Sequence, residues 1–210
     1  MKNIIKRINK EIIFNIVIVL IVITLYILVA LFIYSDFRER KRKEVANNII
    51  EKIDNKIKEN KENNVTDQSQ TEVIAQYNEI NYTVLGKIKI DKINIYEPIL
   101  KENTKGSYDA SVVKMSGPNL NEFGNVAIGG HNYMKGNFFI KINQLKKGDK
   151  VTITDLTGKS VNYYVYEYNT VTIDDATYLS QPDNKNDKIV TLVTCTKGGK
   201  QRYYVKARAK

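Results

Sequence analysis

The chain has 210 residues, with 33 Lys+Arg against 23 Asp+Glu and a formal net charge of +10. That length bounds it to one domain of ordinary size, or a smaller one with an attachment segment, and 42% hydrophobic content excludes wholesale disorder. One cysteine excludes an intrachain disulfide, and one histidine excludes a His-rich metal cluster.

Residues 12–33 form an uncharged run of 22 positions, broken only by Asn15, Thr24 and Tyr26. At about 1.5 Å per residue a helix over this run spans roughly 33 Å, enough for a bilayer core of about 30 Å. The apolar region of a cleaved signal peptide runs to only about 7–15 residues and ends in a small-residue site. Here only Ala30 is small near the end, so an uncleaved anchor is expected, with residues 1–11 as its cytoplasmic tail. Lys2, Lys6, Arg7 and Lys10 on one flank nearly balance Arg38, Arg40, Lys41, Arg42 and Lys43 on the other, so flanking charge does not set the orientation.

Residues 34–80 read as a helical stalk and polar linker. Val45, Ile49, Ile53 and Ile57 recur every four residues among charges, the mark of a one-stripe helix that is either solvated or self-associating. Residues 59–71 have almost no apolar content and read as a flexible linker. Val73, Ile74, Tyr77 and Ile80 suggest a short helix at the start of the folded domain.

From Asn81 the period changes to two. Val84, Ile88 and Ile90, then Ile93, Ile95 and Ile99, then Val151 and Ile153 mark short strands. Tyr164, Tyr166 and Tyr168 share one face of another strand, with Val165 opposite. Residues 188–195 and 202–208 complete the pattern. Gly117-Pro118, Gly148-Asp149, Thr157-Gly158 and Gly198-Gly199 are among the turn signals between them. Seven or eight short strands, with brief helical pieces near Tyr108 and Phe138, predict an all-β barrel or sandwich over residues 81–210. This part holds 20 Lys+Arg against 12 Asp+Glu, yet it has no helix-turn-helix, zinc-finger or RNA-recognition pattern, so no nucleic-acid partner is expected.

Cys195 ends the apolar run that begins at Ile189. A lone Cys in such a strand is ordinarily a buried small hydrophobe. Six residues separate it from Arg202, which opens the next β run. If the two runs form a hairpin, Cys195 and Arg202 face each other, and the guanidinium can favour a thiolate or donate to an oxyanion. His131 ends another run, from Asn125, after two glycines that allow close backbone approach. Taken alone it is a turn histidine; taken with the rest, it is the sole imidazole available to the sole thiol.

These residues resemble a known family. Thr191-Leu192-Val193-Thr194-Cys195 is similar to the TLxTC signature of sortases, the cysteine transpeptidases of Gram-positive cell surfaces. NVAIGGH, ending at His131, resembles the family's strand with the catalytic histidine, and RYYVKARA, opening at Arg202, its closing strand with the catalytic arginine. KIKIDKINIYEPIL and QLKKGDKVTI also resemble family segments. The likeness covers residues 84–209.

The resemblance implies a closed eight-stranded sortase-type β-barrel with short helices, behind a transmembrane anchor and stalk. It implies Cys195 as nucleophile, His131 as general acid/base and Arg202 as the oxyanion-stabilising or substrate-positioning cation. Val193 and Thr194 would be substrate-binding positions in the groove. The expected substrate is a secreted protein bearing an LPxTG-like signal, cleaved through a thioester on Cys195 and transferred to a peptidoglycan cross-bridge or other amine. The catalytic domain would lie on the extracellular face of a single-pass membrane protein.

Gly129-Gly130 departs from the Ala-Gly-His triplet common in the family. The absence of an Asp-Pro lid motif, and of a second span before Lys210, favours a housekeeping (class A) or class D type over a pilin polymerase. Residues 172–182 correspond to the loop that closes over the signal. Asp174-Asp175 there invites calcium, but such a pair ordinarily forms a solvated turn or a helix N-cap, so no cofactor is expected.

Two alternatives stand beside this reading. Another extracytoplasmic cysteine hydrolase is disfavoured because papain-like enzymes place Cys before His, and cysteine L,D-transpeptidases carry a His-Gly-Cys element absent here. A non-catalytic anchored β-domain binding anionic envelope polymers would be indifferent to loss of Cys195 or His131.

Overall fold

The computed structural model describes residues 2–132 and 138–210. Two compact units divide the chain, residues 1–42 and residues 43–210. From Lys2 onward the first is helical, as the start of α1 (Lys2–Glu62), and its large apolar side chains from Ile12 to Phe37 are all exposed. It contains the one helical stretch among the described residues long and apolar enough to cross a membrane.

The second unit begins with the remainder of α1. Ile49, Ile50, Ile53 and Ile57 are buried there against Val73, Tyr82, Val84, Leu100 and Leu156 of the sheet. The apolar stripe is thus neither solvated nor left for self-association, because the barrel itself covers it. Asn60 is buried and donates to Leu156 O at 2.8 Å, and Lys87 pairs with Asp54 on the same helix. Residues 59–62, expected in a flexible linker, are therefore part of a docked helix.

Among the described residues, nine strands follow in one sheet: β1 (Val73–Tyr77), β2 (Ile80–Ile90), β3 (Ile95–Leu100), β4 (Val112–Ser116), β5 (Gly124–Gly129), β6 (Lys150–Asp155), β7 (Ser160–Thr172), β8 (Lys188–Thr196) and β9 (Gln201–Ala209). Their spatial order is β1-β2-β3-β4-β5-β8-β9-β7-β6, and β6 pairs back to β2 with Ile88 opposite Ile153. Strands β2 to β9 therefore close an eight-stranded barrel, with β1 added on the outer part of β2. Its interior is filled by Ile88, Ile90, Ile99, Ile128, Val151, Val190, Leu192, Val205 and their neighbours. Alternation within β2 and β6 places these side chains inward and the lysines outward, as period two requires.

Two local readings are corrected. Residues 73–80 form a hairpin rather than a helix: β1 pairs with β2 up to Tyr77 opposite Ile80, and the two connecting residues, Asn78 and Glu79, both have positive φ (48° and 66°). That is the geometry of a type I′ turn, whose twist matches the strands it joins. In β7 a bulge between Val165 and Glu167 shifts the register on β9, so Tyr168 sits opposite the core residue Val205. Tyr168 therefore leaves the face of Tyr164 and Tyr166, because an extra residue in one strand inverts the alternation beyond it.

Between β3 and β4 lies α2 (Lys105–Ala110). A capping box holds it, with Thr104 accepting from the Ser107 amide and the Ser107 hydroxyl accepting from the Thr104 amide. A 3-10 segment (Phe138–Gln144) precedes β6 and buries Phe138, Phe139 and Ile142 in the barrel.

Candidate active site

The β8–β9 hairpin turns through Lys197–Gly199, with Gly198 and Gly199 at φ 66° and 91°, a region that disfavours side chains. Its register places Cys195 directly opposite Arg202. Cys195 is a free, half-buried thiol. Arg202 Nη1 donates to Gly199 O at 2.9 Å and more weakly to Gln201 O at 3.3 Å, which ties the guanidinium to the hairpin mouth.

His131 arrives from the other side. Strand β5 runs parallel to β8, with Gly129 opposite Val193, and the pairing is bolted where the strands end. The Gly130 amide donates to Val193 O at 3.0 Å, and Thr194 Oγ1 donates to Gly130 O at 2.7 Å. The Asn132 side-chain amide donates to Cys195 O. The residues on both sides of His131 are thus tied to the backbone that presents Cys195, which brings the sole imidazole and the sole thiol to one end of the barrel.

Space is short at both glycines before His131, and at Gly130 the neighbours are fixed. A Cβ at Gly129 would lie 2.8 Å from Met115 Sδ and 2.9 Å from the Tyr108 ring. One at Gly130 would lie 2.9 Å from Phe139 Cγ and 3.2 Å from Val112 Cγ1. Phe139 is fully buried and the Gly130 backbone is held on both sides, so neither partner can yield. Gly130→Ala should destabilise the fold by about 1–3 kcal/mol through overpacking. It should also lower kcat/KM more than that loss implies, because His131 is displaced with it. Denaturant unfolding and peptide cleavage by the folded variant would check both.

The flanks of the site are aromatic. The Tyr108 ring lies 5.5 Å from the His131 ring, and Phe138 meets the imidazole edge-on at 6.5 Å. Burial pushes the Tyr108 phenol up to about 12, with Cys195 and Tyr178 adding to the shift and Arg202 opposing it. Burial lowers His131 from the usual imidazole value, against the pull of Asp109. Val193, Tyr178 and Tyr204 form an apolar cluster with Met115, Val171 and Leu179 along the face of β8 that Val193 shares with Cys195, and Tyr178 stacks on Tyr204 at 5.5 Å.

Tyr178 belongs to the loop between β7 and β8. Buried Asn125 fastens that loop to the barrel, donating to Tyr178 O and Ser180 O, both at 3.0 Å, and accepting from Thr191 Oγ1 at 2.7 Å. Gln181 completes the clamp by pairing with the Asn125 backbone. Asp175 caps the turn at Thr177, accepting from its amide at 2.8 Å and its hydroxyl at 2.6 Å, which holds its carboxyl below the usual range.

The sortase domain family model matches residues 88–210, more than half of the chain. The chain belongs to the sortase family. Sortase A of Bacillus anthracis is 27% identical over 205 residues, covering 94% of each chain. Sortase A of Listeria monocytogenes is 30% identical over 115 residues, covering 54% of this chain and 50% of that one. Among solved structures, the sortase D5 transpeptidase of Clostridium perfringens aligns with a TM-score of 0.61 and 27% identity, covering 80% of this sortase and 99% of that chain. Membership makes this protein a cysteine transpeptidase in general terms.

Within this sortase, Cys195, Arg202 and His131 converge. Val193 lies in the apolar cluster below Tyr178. Thr194 faces the other way, as strand alternation demands. It holds Gly130 O, and it borders a cavity of about 380 Å³ together with Cys195, Phe139, Ile140, Asn143 and Tyr203. Sequence reading missed Tyr108, Asp109, Asn125 and Tyr178. Asn125 and Tyr178 stood inside segments already tied to the family, whereas Tyr108 and Asp109 carried no local signal.

Proposed function

We propose that this sortase is an anchored transpeptidase that cleaves an LPxTG-like sorting signal and joins the secreted protein to a cell-wall amine. The observation that carries the reading is the pairing of Cys195 with Arg202 across β8–β9, with His131 tied alongside by the bonds of Gly130 and Asn132. In the first step the Cys195 thiolate attacks the threonine carbonyl of the signal. The Arg202 guanidinium donates to the oxyanion, and the His131 imidazolium protonates the departing amine. The acyl group is then held as a thioester, which conserves the energy of the cleaved amide without a nucleotide. An incoming primary amine gives its proton to His131 and expels the thiolate, restoring the starting state.

The exposed apolar helix over residues 12–33 supports a single-pass anchor. Secreted substrates and cell-wall amines both lie outside the membrane, so residues 43–210 face outward. The buried Val193, Tyr178 and Tyr204 cluster backs the partly buried Met115, Val171 and Leu179, against which an extended signal would lie. Asp175 is engaged by Thr177, which favours the turn reading of the Asp174-Asp175 pair over a cation site.

The pH dependence follows from the buried imidazole. An ordinary imidazole titrates near 6.5, and burial lowers His131 from that value, so its proton leaves at lower pH. The reactive pair, thiolate with imidazolium, is then a minority form at neutral pH. The acidic limb of kcat/KM is expected below pH 6.5, with a broad, low plateau above it and slow turnover. A rate that keeps climbing with pH, with no acidic limb below that value, would contradict this protonation scheme. The function itself is tested by incubating the protein with LPxTG-like peptides and an amine, and seeking an acyl adduct on Cys195 by mass spectrometry. Cleavage with transfer supports the reading; a thiol that alkylates readily while no peptide acylates it counts against the signal proposed.

A further inference from the structure

The carboxylate of Asp109 approaches the imidazole that the transfer reaction requires. Asp109 Oδ1 lies 3.5 Å from His131 Nε2, and the ring of the preceding residue, Tyr108, lies 5.5 Å from the same imidazole. Both stand on α2, whose backbone is held at each end. The Thr104–Ser107 box fixes its start, and Ser107 Oγ also bonds the Glu102 and Thr104 carbonyls. Buried Ser111 at its end donates to Pro98 O at 2.6 Å. The distance from Asp109 to His131 is therefore set by a clamped element, although the two residues are 22 positions apart.

We propose that Asp109 is a positioning residue for His131, orienting the imidazole through Nε2 and favouring its protonated form during acyl transfer. This rests on the reading of His131 as the acid/base of the reaction. The site has an electrostatic need for such a group. Burial of the ring disfavours the imidazolium, and Asp109 opposes that loss. Among the described residues, the other groups around the ring leave this part unfilled. Phe138 from the 3-10 segment is uncharged, and Tyr108 keeps its proton to about 12. On β8–β9, Cys195 and Arg202 act on Tyr108, and Arg202 carries positive charge, which disfavours a second cation nearby. Because the reactive state is thiolate with imidazolium, any fall in the histidine pKa lowers the reactive fraction by the same factor.

The chain has one histidine, so its imidazole can be titrated by NMR without assignment ambiguity, using full-length protein in detergent micelles. Asp109→Asn should lower the midpoint by about half to one pH unit, a three- to tenfold fall in imidazolium at neutral pH. Asp109→Glu should retain most of the parent midpoint. With a peptide substrate, the plateau of kcat/KM in Asp109→Asn should fall by the same factor as the acidic limb moves. The titration needs no substrate, so it decides the role of Asp109 whether or not a given peptide acylates Cys195. An unchanged midpoint in an Asn variant that melts like the parent would overturn the proposal. So would equal shifts in the Asn and Glu variants, or a lost rate with the acidic limb in place, since these mark packing damage rather than charge.

Discussion

Cys195→Ala is expected to abolish both the acyl adduct and peptide transfer while leaving the fold in place. The thiol is half-buried at the end of β8, and nothing in the barrel core rests on it, so stability should change by no more than about 0.5 kcal/mol. Chemistry should suffer out of proportion. Without a nucleophile on the strand no thioester forms, and losing one member of a covalent catalytic set typically costs about 10⁴-fold or more. Arg202→Ala leaves the nucleophile but removes the cation opposite it, and Arg202→Lys restores charge without the planar fork that reaches Gly199 O and Gln201 O. The expected order of kcat/KM is parent, Arg202→Lys, Arg202→Ala, Cys195→Ala. Intact-mass detection of the adduct, with thermal unfolding alongside, measures both sides. Peptide cleavage that survives in Cys195→Ala would remove the thioester mechanism outright.

The second large effect is expected at Asn125. Asn125→Leu keeps the volume but removes the donor from the Tyr178 and Ser180 carbonyls and the acceptor from the Thr191 hydroxyl, which is left only its longer 3.4 Å bond to Tyr178 O. A buried group left without its bond costs about 1–3 kcal/mol, and the residual Thr191–Tyr178 bond offsets part of the loss, so a total of about 2–3 kcal/mol is expected. The damage should concentrate in the loop that carries Tyr178, raising KM and lowering kcat together because one wall of the groove is no longer held. Asn125→Asp is the informative companion. Its carboxylate still accepts from Thr191 but sets an acceptor against two carbonyls, so the variant should regain stability as pH falls and the acid can donate. Hydrogen exchange across residues 176–182 reports this directly. Unchanged protection there in Asn125→Leu would mean that the loop is held by something other than this amide.

Much of the site was legible because its chemistry is rare and its geometry local. A single cysteine at a strand end, with six residues between it and an arginine at the start of the next strand, fixes their pairing once a hairpin is assumed. Alternation likewise identified most barrel strands and their inward faces. It failed where one residue changes the count. The bulge in β7 moved Tyr168 to the other face of the strand. The hairpin at residues 73–80 was read as a helix because Val73, Ile74, Tyr77 and Ile80 fit a 3.6-residue period as well as Val73, Ala75 and Tyr77 fit a period of two.

By itself, then, the sequence determined the apolar segment long enough to span a bilayer, the β character of the C-terminal part, and the identities of the sole thiol, the sole imidazole and the guanidinium that starts the strand after the thiol. Those depend on composition, period and short spacings, which the chain carries locally. Only the tertiary structure decided that β5 lies parallel to β8, which brings His131 beside Cys195 across 64 positions, and that α2 returns Asp109 to the imidazole. It also decided that α1 covers the barrel with its isoleucine stripe and that Asn125 clamps the Tyr178 loop. Periodicity tells which face of an element seeks cover but not what will cover it; that choice is made by whole-barrel packing and by buried polar groups that must find partners wherever closure places them.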